Sequence, residues 1–167
     1  MPKKAAKPQP AQMQAEGLKA MEKTLRSLAY RRGLCQVFQD FVGLAALSLS
    51  NSVDPRFYDA REAQYLIVAK RYEKEELAQF PRLLGLLIEI VEGEWDDHLG
   101  VLYHRLELQN EQAGQFFTPY YICQAMALMT MQDAPTWLEK KGYIGVLEPC
   151  VGAGAMVLAL ADVLQQQ

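Results

Sequence analysis

The stretch from Tyr143 to Leu160 constrains the fold more than any other part of this chain. It opens with a short apolar run, Tyr143-Ile144-Gly145-Val146-Leu147, which reads as a buried strand. Glu148 and Pro149 follow, then a turn carrying Gly152 and Gly154, then Met156-Val157-Leu158-Ala159-Leu160, which begins as a helix. Strand, acid, glycine turn and helix in that order make the first half of a βαβ nucleotide site. The glycines matter because a side chain there would hold the backbone away from a ligand, and because such turns often need positive φ. Alone, a Gly-x-Gly turn is also a plain connection built from small residues.

A second motif lies upstream, Ala113-Gly114-Gln115-Phe116-Phe117-Thr118-Pro119. Thr118 followed by Pro119 is a helix start: a hydroxyl at the N-cap, then proline at the first helical position, where its missing N–H costs nothing. The spacing predicts a helix from Pro119 to about Met131 with Ile122, Met126 and Met129 on one face. Its first N–H groups would suit a carboxylate. An ordinary capped helix behind two core phenylalanines fits the same spacing.

Together these stretches resemble the amino-methylating DNA methyltransferases, above all the modification subunits of type I restriction systems and related adenine-N6 enzymes. In that family a Gly-Gln-Phe-Phe-Thr-Pro segment precedes the first strand of the catalytic domain, and that strand ends in Asp/Glu-Pro-x-x-Gly-x-Gly. Both occur here in that order, as Gly114 to Pro119 and Glu148 to Gly154. Asp97-His98-Leu99-Gly100 through Tyr103 is similar to the family's approach helix, so the resemblance runs from about Trp95 to Leu164.

The resemblance implies S-adenosyl-L-methionine as cofactor. Gln115 and Phe116 belong to the first implied contact segment. Phe117, Thr118 and Pro119 would lie against the methionine end, with Thr118 and the helix N-terminus receiving its carboxylate. Glu148 would face the ammonium group, Pro149 would follow it in the turn, and Gly152 and Gly154 would let the backbone approach. Cys150 falls where the family varies, so it has proximity and no implied role. The implied fold is a mainly α N-terminal helical region leading into the first β-α unit of a Rossmann-like α/β methyltransferase domain, left incomplete.

The remainder divides as a basic tail (1–12), a helical region (13–112) and the start of the cofactor domain (113–167). Lys3, Lys4 and Lys7 among Pro, Ala and Gln read as a disordered tail without the apolar segment of a signal peptide. Leu18, Met21, Leu25 and Leu28 fall at helical spacing, Gly33 breaks the run, and Val37, Phe38, Phe41, Val42 and Ala45 form a second apolar face. Asp59 with Glu62 looks like a capping box opening a helix to about Gln79. Pro81 starts another that is apolar nearly all round from Leu83 to Val91, too short to span a bilayer. A further helix is expected over Glu94 to Leu108.

Arg26, Arg31 and Arg32 form the best basic patch, read as a solvated helix end before a phosphate contact. The net charge of -3 does not suggest a nucleic-acid surface. Cys35, Cys123 and Cys150 show no paired spacing and read as reduced, mostly buried thiols of a cytoplasmic protein. His98 and His104 have the wrong spacing for one helix face, so no metal site is expected, nor a membrane partner.

Amino-methylating enzymes of the resembled family also carry Asn/Asp-Pro-Pro-Tyr/Phe/Trp, whose polar groups accept hydrogen bonds from the target amine while its ring stacks on the flipped base. This sequence has no such run; Asp54-Pro55-Arg56-Phe57 lacks the second proline and precedes the cofactor motifs. An acid for the ribose hydroxyls, normally about 20 residues past the glycine turn, would lie beyond Gln167. The expectation is therefore the N-terminal portion of a restriction-modification DNA adenine-N6 methyltransferase, inactive alone. DNA would be a partner only of the complete enzyme, with a second chain or specificity subunit completing the sheet. Two alternatives stay open: a non-catalytic helical interaction module docking onto a partner chain, and a dinucleotide-binding oxidoreductase fragment. The last is weakened by Val157 standing where the third glycine of Gly-x-Gly-x-x-Gly would be.

Overall fold

The computed structural model describes residues 10–93, 95–108 and 117–166. Gln115, Phe116 and most of the expected basic tail lie outside the described residues. The chain forms two compact units, Met1–Gly93 with Arg105–Leu108, and Glu94–His104 with Gln109–Gln167.

The first unit is a helical bundle. Helix α1 (Pro10–Leu28) buries Leu18, Met21, Leu25 and Leu28, the stripe that a 3.6-residue period places on one face. Gly33, at φ 78°, turns the chain into α2 (Leu34–Val53), which buries Val37, Phe38, Phe41 and Leu44. Helices α3 (Tyr58–Ala69), α4 (Lys74–Leu77) and α5 (Gln79–Gly93) follow, with α1 and α2 packed on α5 and α2 packed on α3. Phe80, Leu83 and Ile90 are the buried residues of α5. Gly17 permits the α1–α5 approach, because a Cβ there would come within 2.8 Å of Ile90 Cδ1. Full burial of such side chains is worth roughly 1.5–3 kcal/mol each before the cost of ordering them.

Two local expectations change here. The single helix anticipated from Asp59 to Gln79 stops at Ala69, and Asp59 sits inside the first turn, without capping it. The chain restarts at α4, where the Glu76 carboxylate reaches back to accept the Glu73 N–H at 2.9 Å; the capping box lies at this break. The interruption lets Arg71 and Tyr72 reach the carboxylate of Asp40 on α2, at 3.1 and 2.7 Å, while Gln36 donates to it from within α2 at 3.0 Å. Two arginines of the basic patch are paired. Arg26 pairs with Glu22 at 3.0 Å, and Arg32 pairs with Glu76 at 3.0 Å while lying 4.4 Å from the centre of the Tyr72 ring.

The second unit is also helical: α6 (His98–Arg105), α7 (Tyr120–Thr130), α8 (Ala134–Lys141) and α9 (Ala155–Gln165). Before α6, Asp97 accepts the Gly100 N–H at 2.8 Å, the bond an N-cap side chain makes to the third residue of its helix. Helices α7 and α9 pack together through Cys123, Ala127 and Met131 on one side and Ala155, Ala159, Leu160 and Val163 on the other, with Ala134 of α8 in the same cluster. The buried face of α7 is thus Cys123 and Ala127, while Ile122, Met126 and Met129, the residues expected to share one apolar face, are exposed. Small residues win this face because they let two helix backbones approach. Asp162 reinforces the pair, accepting from Gln124 at 3.2 Å and from Gln166 at 2.8 Å.

The expected Rossmann-like β-α unit is not there. Among the described residues no strand or sheet forms, and 143–148 is irregular. A parallel strand is held by hydrogen-bonded neighbours on a sheet covered on both faces. None of these is present among the described residues, so the apolar run only leans Ile144 on the α7–α9 core. The turn and helix that were expected after it do form, with α9 beginning at Ala155. Among the described residues no single helix is long and apolar enough to cross a membrane.

Candidate functional site

Within the second unit, the chain just before α7 and the turn just before α9 enclose a cavity of about 290 Å³, near the lower end for ligand pockets. Its lining includes Phe117, Thr118, Glu148, Cys150 and Gly152 from the two sequence motifs. Pro119, Pro149 and Gly154 do not line it; they shape the backbone on either side. Cys123, Met126, Val151, Ala153, Ala155 and Met156 add to the wall. Sequence reasoning missed these six as site residues, although Val151 and Ala153 stand inside the glycine turn and the other four lie within the first two turns of the helix that follows a motif.

The start of α7 differs from the expected cap. Pro119, at φ −56° and ψ 138°, takes the cap position, the helix begins at Tyr120, and no side chain among the described residues caps it. Thr118 is exposed beside the cavity, and its carbonyl receives a long contact of 3.9 Å from the Cys123 thiol. The Pro119 carbonyl accepts from both Ile122 and Cys123 N–H, at 3.0 and 3.3 Å. The N–H groups ahead of these have no intrahelical carbonyl within reach, which leaves a positive helix end beside the motif. Phe117 is held edge-on against Tyr103 and His104, at ring separations of 5.3 and 5.6 Å.

On the opposite wall, Glu148 is half-buried and accepts the Cys150 N–H at 2.9 Å, which folds the carboxylate over its own turn. Gly152 and Gly154 take φ of 51° and 89°, the left-handed region that glycine enters freely. The Gly154 N–H donates to Val151 O at 2.7 Å, and its carbonyl accepts from Leu158 in α9. A Cβ on Gly152 would sit 3.9 Å from the Phe117 ring, so the two motifs come within van der Waals reach of each other.

Among the described residues Glu148 is the only charged one that lines this cavity, and it gives its side of the wall a negative charge. Burial, reinforced by Asp97, raises the Cys123 thiol above its ordinary value and keeps it neutral. Tyr120 has a buried hydroxyl with no hydrogen-bond partner among the described residues, and burial together with Asp162 pushes its pKa up to about 12. Cys150 is exposed where Cys123 is buried, and Cys35 in the first unit is exposed too, so the expectation of mostly buried cysteines fails for two of the three. A second cavity of about 420 Å³ adjoins the first through Met126, Glu148 and Met156, and Trp137 and Leu147 add to its walls.

The arrangement can take a small ligand with a cationic group toward Glu148, an anionic group toward the start of α7, and apolar parts against Phe117, Met126 and Met156. No protein-family profile, curated protein or solved structure matches the chain.

Proposed function

We propose that the second unit is an S-adenosyl-L-methionine-binding module of the DNA adenine-N6 methyltransferase type. The reading rests on one observation: Phe117 and Thr118 of the first motif line the same cavity as Glu148, Cys150 and Gly152 of the second, although helices α7 and α8 separate them in the chain. An accidental pair of motifs has no reason to share a wall.

The residues present suit the group. The cofactor's amino-acid end carries an ammonium and a carboxylate. Glu148 offers the ammonium a charged acceptor, and the start of α7, where no side-chain cap forms among the described residues, offers the carboxylate its first N–H donors. Phe117, Met126 and Met156 supply apolar surface for the thioether-like chain, and the two left-handed glycines keep Cβ atoms away from the approach. When bound, the cofactor supplies an electrophilic methyl group on a sulfonium. The protein side chains named here bind and orient it, and the negative wall favours that positive charge. Activation of the adenine amine needs a hydrogen-bond-accepting motif that these residues do not contain, so this chain binds cofactor without methylating DNA by itself.

Calorimetric titration with S-adenosyl-L-methionine tests the reading. Binding that Glu148→Gln weakens by roughly tenfold, and that Gly154→Asp abolishes, is the expected result. An absence of heat at saturating cofactor, with the helical spectrum intact, would refute it.

A further inference from the structure

The run Tyr143–Leu147 is irregular but not inert. These residues lie outside any helix or turn, and no backbone hydrogen bond joins them to another described residue. Tyr, Ile and Val in this order suit a pleated strand. Ile144 leans on the α7–α9 core, whereas Tyr143, Val146 and Leu147 stand 68%, 50% and 90% exposed. The 420 Å³ cavity runs along the same segment. A row of unpaired donors and acceptors at the rim of an apolar surface selects an occupant that brings a backbone of its own.

We propose that residues 143–147 pair, as an antiparallel strand about a two-fold axis at Gly145, with the same residues of a second copy of this chain. Charge decides the occupant and the direction. Lys140 and Lys141 precede the run, and Glu148 follows it. Antiparallel pairing about Gly145 brings the basic end of each copy to the acidic end of the other, whereas parallel pairing would align like charges. The same register sets Tyr143 opposite the second copy's Leu147, so the two most exposed apolar side chains of the run cover each other twice over. Such a self-complementary patch is what a two-fold interface requires. At the axis, nothing lies within 4 Å of the position a Gly145 Cβ would take, so the second backbone has room. This inference is independent of any ligand in the neighbouring cavity.

Sedimentation equilibrium of the full chain tests it, with circular dichroism reporting the fold. The wild type is expected to be a dimer whose dissociation constant rises with salt. Val146→Pro removes a ladder N–H and is expected to weaken the dimer by roughly tenfold or more. Lys140→Glu with Lys141→Glu, both on the surface, should weaken it comparably and leave the helical spectrum unchanged. Gly145→Cys, placed in a chain with Cys35→Ser and Cys150→Ser, should oxidise to a covalent dimer, since the axis brings each cysteine to its own copy. A monomer at every concentration overturns the proposal. So does a dimer that tolerates both the proline and the paired charge reversal. Because the readout is mass and not ligand binding, failure here is separable from failure of the cofactor reading.

Discussion

Tyr72 donates its hydroxyl proton to Asp40 across 2.7 Å, joining the chain after α3 to the middle of α2 inside the first unit. Asp40 is only 5% exposed, and its remaining donors come from Arg71 and Gln36. Burial and the neighbouring carboxylate together push the tyrosine pKa well above its ordinary value, so this hydroxyl stays protonated and donating. Tyr72→Phe keeps the ring packed edge-on to Phe80 and beside Arg32, and so isolates the hydrogen bond. The expected loss is about 1.5–3 kcal/mol, the range for bonds to a charged acceptor. Urea unfolding with an unchanged m-value would measure it.

Two helical glycines should respond in opposite directions. A Cβ at Gly100 would overlap the Asp97 carboxylate that caps α6, so Gly100→Ala must displace the cap and is expected to destabilise by about 0.5–2 kcal/mol. Gly85 is exposed within α5 and a Cβ there meets nothing within 4 Å. Gly85→Ala should stabilise by roughly 0.5–1 kcal/mol, because alanine loses less backbone freedom on forming a helix. Thermal denaturation of the two variants side by side tests the contrast.

Asp97 predicts a pH dependence for the second unit. Burial raises its pKa, with a smaller push from Asp96, against the lowering effect of the Gly100 N–H. The folded state therefore holds this proton more tightly than the unfolded chain does. The contribution to stability is fully present below the unfolded carboxylate range and is lost as pH rises through the folded pKa. Asp97→Asn, which retains an acceptor for the Gly100 N–H, should raise the melting temperature at neutral pH and flatten its dependence just above pH 3.8. An asparagine variant that melts lower at neutral pH, with the same pH profile, would count against this account.

The thiols offer a test of accessibility and of the cofactor reading together. Cys35 and Cys150 are exposed and should react within seconds to minutes with an aromatic disulfide reagent, whereas Cys123, 1% exposed and held neutral, should react only on unfolding. Saturating S-adenosyl-L-methionine should slow modification at Cys150, which lines the cavity, and leave Cys35 unaffected. Equal protection of both, or of neither, would separate Cys150 from the ligand.

Much of the first unit was legible because its signals are local. The spacing of Leu18, Met21, Leu25 and Leu28, and the break at Gly33, survive as written. The break between α3 and α4 was hidden because Tyr65 to Tyr72 keeps a helical period through it; the Glu73–Glu76 pair was the visible cue. The face of α7 was misread by weighting size. Ile122, Met126 and Met129 are the larger residues, but helix-to-helix distance is set by the small ones. Cys123 and Ala127, and Ala155 and Ala159, each spaced by four, were the signal. The strand expectation failed for a different reason: β-propensity describes a surface that fits neighbours, and the composition of Tyr143–Leu147 cannot supply them. At the candidate site, Glu148, Gly152, Phe117 and Thr118 line one cavity, while the cap expected at Thr118 falls one residue later, at Pro119.

The close contact of α7 with α9 reaches further than stability. Ala127 and Ala159 are fully buried between the helices, and neither touches the cavity that Cys123 and Met126 line on one helix and Ala155 and Met156 on the other. They act as a spacer that sets its width from behind. A single added methyl at either position would pry the walls apart like a shim under a vice jaw, changing what fits without altering any lining residue. The aperture of the site is therefore heritable at positions that a search confined to its surface would pass over.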